Sequence, residues 1–216
     1  MINAYDKNYL EKARTSLGRM LDFAVYDLKY DIPDFFERFI QSGMADKFGT
    51  GDTGTLAGKS GVELAYEVLE RTGENARDIK PHFSANRSEE YWTGWALAYY
   101  QWKTSLSCAE IVKYIPIKEI MALYSPYHEM DIRHFVDKMN ELYRAAKPET
   151  NLKIYRKRAD LSQKELAEAS EIPLRTIQHY EQRQKNINKA QAEYLVKLSR
   201  VLNCNVDDLL EYLDEI

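Results

Sequence analysis

The stretch LSQKELAEASEIPLRTIQHYEQRQKN, Leu161 to Asn186, limits the fold of this chain more than any other segment. Ser162 suits the N-cap of a helix, and Glu165, three residues later, completes a capping box. Leu166, Ala167 and Ala169 then give a small apolar face. The pattern breaks at Ser170–Glu171, and Pro173 restarts it, since proline fits the first turn of a helix. In the second segment Ile177 and Tyr180 fall three apart and can pack back onto Leu166. Arg175, Gln178, His179 and Gln182 point the other way. The stretch therefore predicts two short helices at a tight turn, the second with an exposed row of hydrogen-bonding side chains.

Such a helix can enter a DNA major groove and read base edges. Residues 151–211 resemble the lambda-repressor/Cro-type helix-turn-helix, the XRE family. The resemblance rests on Leu152 and Arg156, on Leu161, Ser162, Gln163, Leu166 and Ala167, and on Thr176, Ile177, Tyr180 and Glu181. Leu195, Leu198 and Leu202, then Val206, Leu209 and Leu210, fit the two closing helices. Two positions depart from the family pattern. Glu171 stands in the turn where glycine is usual, and a left-handed backbone there costs it about 1 kcal/mol. Pro173 replaces the usual serine or threonine cap.

The resemblance implies a role for each position. Leu174, Arg175, Thr176, Gln178 and His179 lie on or beside the base-reading face. Arg175 has the chemistry to grip guanine O6 and N7, and Leu174 with the Thr176 methyl suits a thymine methyl. Ser162, Gln163, Arg183, Lys185, Asn186 and Lys189 are expected at DNA phosphates. Arg156 and Glu181 match a family pair that forms an internal ion pair. One such domain buries too little surface for tight binding alone, so a homodimer on a double-stranded operator with paired half-sites is expected.

Charge fits that expectation. The net charge is −4, yet between Leu152 and Lys189 nine basic residues face five acidic ones. Beyond Asn203 there are five acidic residues and no basic one. A basic face with an acidic tail suits a module that binds DNA on one side. The stripe Val206, Leu209, Leu210, Leu213 and Ile216 exceeds what the domain needs, which suggests packing on the N-terminal domain or a second subunit. No apolar run nears the ~18 residues of a membrane span, and the charged N-terminus lacks a signal-peptide core, so a cytoplasmic protein without membrane attachment is expected. Cys108 and Cys204 are far apart and predict two reduced thiols, with neither a zinc site nor a disulfide.

The first two-thirds reads as helical. Leu10, Ala13, Leu17, Met20, Leu21, Ala24 and Leu28 recur at helical steps over 6–30. Pro33 opens a second helix that Gly43 ends, and 61–71 forms a third. Gly58-Lys59-Ser60 is not a phosphate loop: the required first glycine would be at 53, which is Thr53, and a helix precedes it rather than a strand. Residues 48–60 are expected to be a flexible connector. In Asn86–Trp102, the aromatics Trp92, Trp95, Tyr99 and Trp102 fall on one helical face. They mark either a central core helix or an anchor surface for a partner protein, and both hold if one edge stays open. Short helices at 108–115 and 117–124 and a longer one at 131–146 follow. His128 and His134, six apart, lack metalloprotease spacing. No metal site, cofactor or catalytic constellation is expected.

The chain is thus expected to be all-α, with a helical partner- or effector-binding domain at 1–147 and a five-helix DNA-binding domain at 148–216, joined by Lys147–Asn151 with Thr150 as N-cap. The leading functional expectation is an autoregulating antitoxin, whose first domain neutralises a toxin encoded next to it. The alternative is a repressor that senses a ligand or peptide through its first domain. An enzyme fused to a DNA-binding domain ranks third.

Overall fold

The computed structural model describes residues 3–82, 87–147 and 149–211. Asn86, Pro148, Leu213 and Ile216 of the expectations above lie outside them. The chain divides into two compact units, Met1–Ala146 and Lys147–Ile216. All regular structure among the described residues is helical.

The first unit is built around α1 (Leu10–Tyr26), which is buried on most of its circumference. It starts later than the sequence pattern suggested, because a 3-10 turn occupies Lys7–Tyr9, with Asp6 accepting the Asn8 N–H. Next come α2 (Ile32–Gln41), α3 (Met44–Gly49), α4 (Thr53–Leu56) and α5 (Gly61–Arg71). Gly43 adopts φ 73°, so it stops α2 and launches α3. Phe39 joins Phe36 and Phe48 edge to face, which seals this corner.

The expected flexible connector is more ordered than its composition implied. Asp52 caps α4 by accepting from the Thr55 amide at 2.9 Å, and Ser60 and Glu63 form a capping box on α5. A Cβ on Gly58 would stand 2.5 Å from the Gly54 carbonyl oxygen. Gly58 therefore serves close backbone approach.

Helix α6 (Glu89–Thr104) lies along α1, and α7 (Cys108–Tyr114), α8 (Ile117–Ala122), α9 (Tyr124–Tyr127) and α10 (Ile132–Ala146) complete the unit. The α1–α6 contact depends on missing side chains. A Cβ at Gly94 would sit 2.5 Å from the Leu17 carbonyl oxygen, and one at Gly18 2.7 Å from that of Tyr91. Both obstacles are backbone, which cannot swing aside. At the far end of α6, Trp102 Nε1 donates to the Tyr5 carbonyl at 2.8 Å and the Ala4 amide to the Trp102 carbonyl at 3.0 Å. Tyr100 is fully buried and donates to Asn140 Oδ1 on α10.

The second unit contains α11 (Asn151–Arg158), α12 (Gln163–Ser170), α13 (Leu174–Glu181) and α14 (Ala192–Leu202). Its core gathers Leu152, Leu166, Ile172, Ile177, Tyr180, Ile187, Leu198, Leu202 and Leu209. The fifth expected helix is, within the described residues, a single 3-10 turn at Asp207–Leu209. Lys147, expected in a linker, is buried in this unit, with Nζ 2.8 Å from Asn151 Oδ1. Both cysteines are free; Cys108 is buried, which pushes its thiol up to about 12, and Cys204 is half-buried.

Replacing Gly94 with alanine should destabilise the first unit by about 1–3 kcal/mol, the usual range for overpacking. Chemical denaturation with a probe in this unit measures it, and an unchanged midpoint would refute the close α1–α6 contact.

Candidate nucleic-acid interface

The turn between α12 and α13 shows how the glutamate departure is accommodated. Ser162 and Glu165 form the capping box that opens α12: the Glu165 amide donates to Ser162 Oγ at 3.1 Å and the Ser162 amide to Glu165 Oε2 at 2.8 Å. Hydrogen bonding from the Ser162 hydroxyl, and then from its amide, holds the Glu165 carboxyl below its usual range. At the other end Glu171 adopts φ 54°, ψ 30°, the left-handed conformation that glycine favours. The Ile172 amide reaches back to the Ala167 carbonyl at 3.2 Å and the Glu171 amide to that of Glu168 at 3.4 Å, the pattern of a Schellman motif. Ile172, 2% exposed, drops into the core. Lys197 on α14 meets the Glu171 carboxylate at 3.1 Å.

Pro173, at φ −54° and ψ 130°, caps α13 without a side-chain hydrogen bond. Ile177 and Tyr180 are buried against α12. That contact turns Leu174 and Arg175 outward into solvent, with Thr176, Gln178 and His179 half-buried beside them. The five residues expected to read bases therefore share one short helix, and its two most exposed members lie at the N-terminal end.

Glu181 sets the orientation of this helix. Arg156 on α11 grips it with two hydrogen bonds, Nε to Oε1 at 2.6 Å and Nη2 to Oε2 at 2.9 Å. Nη1 of the same guanidinium donates to the Leu161 carbonyl at 2.7 Å, just before α12. Gln163, the first residue of α12, adds a hydrogen bond from Nε2 to Glu181 Oε2 at 2.8 Å. The side chains are 11% and 2% exposed for Arg156 and Glu181. The hydrogen bonds to Glu181 raise the Arg156 pKa above its ordinary value, against the opposing effect of burial. A bidentate guanidinium–carboxylate pair fixes angle as well as distance, so α11, α12 and α13 are held in one geometry.

The residues expected at phosphates separate into groups. Ser162 is exposed, and Gln163 is half-buried with its amide on Glu181. Lys185 and Lys189 are exposed in the loop after α13, and Asn186 accepts the Asn188 amide at 2.7 Å. Arg183 takes another course. It adopts φ 55°, and its Nη2 lies 3.2 Å from the Lys147 carbonyl and 3.6 Å from Glu211. Its guanidinium thus ties the loop to the ends of the unit.

Sequence reasoning missed the group that holds this loop. Glu211, 8% exposed, accepts the Asn151 amide, while its own amide donates to Asn188 Oδ1 at 2.8 Å. Asn151 Nδ2 donates to the Leu210 carbonyl at 2.6 Å. A carboxylate at the first amide of α11 also meets the positive end of the helix dipole. The signal in sequence was faint: one glutamate in a run of acids, without periodicity to mark it as buried.

In the first unit the aromatic residues are unevenly placed. Trp92, 8% exposed, packs edge to face against Tyr124 and Phe135. Trp102, 6% exposed, is held by its bond to Tyr5. Trp95 and Tyr99 are half-buried, with the Arg14 guanidinium 3.3 Å and 5.1 Å from their ring centres. Of the four aromatics expected at a partner surface, Trp95 and Tyr99 keep the greater exposure. No group of His, Cys, Asp and Glu suited to a metal ion occurs among the described residues, nor any helix long and apolar enough to cross a membrane.

Substituting Glu181 with alanine should cost about 3–5 kcal/mol, because it leaves the Arg156 charge buried without its partner. Thermal or chemical unfolding of the second unit reads this directly, and a loss below about 1 kcal/mol would remove the pair from its central place.

No curated protein and no solved structure matches the chain. Residues 152–209 match the Helix-turn-helix family model. The C-terminal region is accordingly an XRE-type helix-turn-helix domain, and the protein is a DNA-binding transcription regulator.

Proposed function

We propose that the protein is a sequence-specific operator-binding repressor of the antitoxin type, in which the C-terminal unit binds its own operator and the N-terminal unit binds and neutralises a cognate toxin. The observation that carries the operator reading is the outward face of α13, with Leu174 and Arg175 exposed on a helix clamped by Arg156 and Glu181. Arg175 supplies the guanine contact, Gln178 and His179 hydrogen-bond a neighbouring base edge, and Leu174 and Thr176 pack on a thymine methyl. Ser162, Gln163, Lys185, Asn186 and Lys189 take the phosphates that set the register. Two such domains on paired half-sites supply the affinity that one lacks, so the working species is a homodimer. The domain order and the open edges of Trp95 and Tyr99 support the toxin-binding half.

A second reading has its own support. An aromatic cleft in the N-terminal unit favours a repressor controlled by a small ligand. Co-expression of the full chain with the neighbouring gene separates the two. Rescue of growth from a toxic neighbour, with co-purification, supports the antitoxin; a harmless neighbour refutes it and leaves the ligand reading.

Arg175→Ala should cost about 1–3 kcal/mol on the operator and relax specificity at one base pair, whereas Lys185→Ala should weaken all sequences alike and reduce the salt slope by about 1. Binding isotherms on wild-type and single-substituted operators at several salt concentrations distinguish them. Unchanged operator affinity in Arg175→Ala would overturn its base contact.

A further inference from the structure

Helix α6, α9 and the residues flanking α9 enclose a cleft of about 260 Å³ within the N-terminal unit. Its walls are Tyr91, Trp92, Trp95, Tyr124, Tyr127 and His128. These rings are held before anything binds. Trp92 meets Tyr124 edge to face with centroids 5.6 Å apart, and His128 stacks on Tyr124 at 4.1 Å with an interplanar angle of 12°. Trp95 is fixed from the Arg14 side, where the guanidinium carbon lies 3.3 Å from its ring centre. Met130, another lining residue, is 47% exposed, so the cleft opens to solvent.

Charge decides what such a cleft accepts. Aromatic cages for cations work through electron-rich ring faces. Here Arg14, itself paired with Glu11 at 2.7 Å, already covers one face of Trp95. Arg87, exposed in the lining, lies 4.8 Å from the Tyr91 ring centre and forms no ion pair with a described residue. Glu129, 3.6 Å from His128 Nε2, has its side chain 80% exposed to solvent. The Arg87 guanidinium, in the lining and without such a partner, therefore favours an anion over a cation. The volume falls just below the roughly 300–1,000 Å³ of common ligand sites, which suits one small ring system.

We infer that this cleft binds a small planar aromatic carboxylate, with its ring among the aromatic walls and its carboxylate on Arg87. The inference rests on the ligand-controlled reading above for its consequence, but the site stands or falls separately.

Titration calorimetry on the full chain tests it, with indole-3-acetate, 1-naphthoate and benzoate as anionic probes, tryptamine as the cation and indole as the neutral ring. At least one acid should saturate a single site per chain, and tryptamine should bind about tenfold or more weakly than indole-3-acetate. Arg87→Gln, a change at an exposed position, should weaken the acid about tenfold while leaving neutral indole unchanged. Tyr127→Ala should weaken acid and indole together. Tryptamine binding as tightly as indole-3-acetate, an unaffected Arg87→Gln variant, or no saturable binding by any acid would each overturn the site. Operator affinity with and without saturating acid then tests the reading beneath it: a change supports ligand control, and saturable binding without a change refutes ligand control while the site stands.

Discussion

The grip of Arg156 on Glu181 holds the DNA-reading half of the molecule together. Its two hydrogen bonds run between the first and third helices of the C-terminal unit, and a third from the same guanidinium reaches the backbone ahead of the second. An apolar core of this size has few large side chains to fix helix angles. A nearly dry, bidentate ion pair supplies the direction that nonpolar contact alone lacks. The cost of drying both charges is offset because the guanidinium and carboxylate spend their capacity on Leu161 and Gln163 as well as on each other. With that frame in place, burial of Ile177 and Tyr180 leaves Leu174 and Arg175 facing solvent at the start of α13.

A second constraint governs the phosphate side. The loop after α13 is joined to the ends of its own unit, through Arg183 to the Lys147 carbonyl and through Asn188 to Glu211. An acidic tail that looked like a solvated run therefore includes a buried anchor. The basic residues of the loop fall into two jobs: Arg183 holds structure, and Lys185 and Lys189 stand exposed. The N-terminal unit solves a different problem, that of laying two long helices close together. It does so with Gly18 and Gly94, where backbone meets backbone, and this places α6 at the centre with aromatic side chains on several sides.

Much of the C-terminal unit was legible in sequence because its determinants are local. A capping box spans four residues, a Schellman motif about six, and an amphipathic face repeats every three or four. The Ser162–Glu165 box, the Glu171 turn and the inward Ile177 and Tyr180 could be read from the chain alone. The Arg156–Glu181 pair was legible only through the family resemblance, since nothing local joins residues 25 positions apart. In the N-terminal unit helical periodicity placed most elements, yet the glycine-rich connector hid the ordered α4 segment, where Asp52 Oδ1 accepts from both the amide and the hydroxyl of Thr55.

The sequence by itself determined the helical class, the positions of the turns and caps, and which face of α13 carries polar side chains, because each depends on neighbours a few bonds away. Tertiary structure alone decided that Trp102 is consumed inside the unit, that Arg183 turns to Lys147 and Glu211, and that six rings from α6 and the α9 region line one cleft. Periodicity assigns residues to a helix face but does not say what that face meets. Only the packing of distant helices, set by close glycine contacts and by which buried polar groups find partners, answers that.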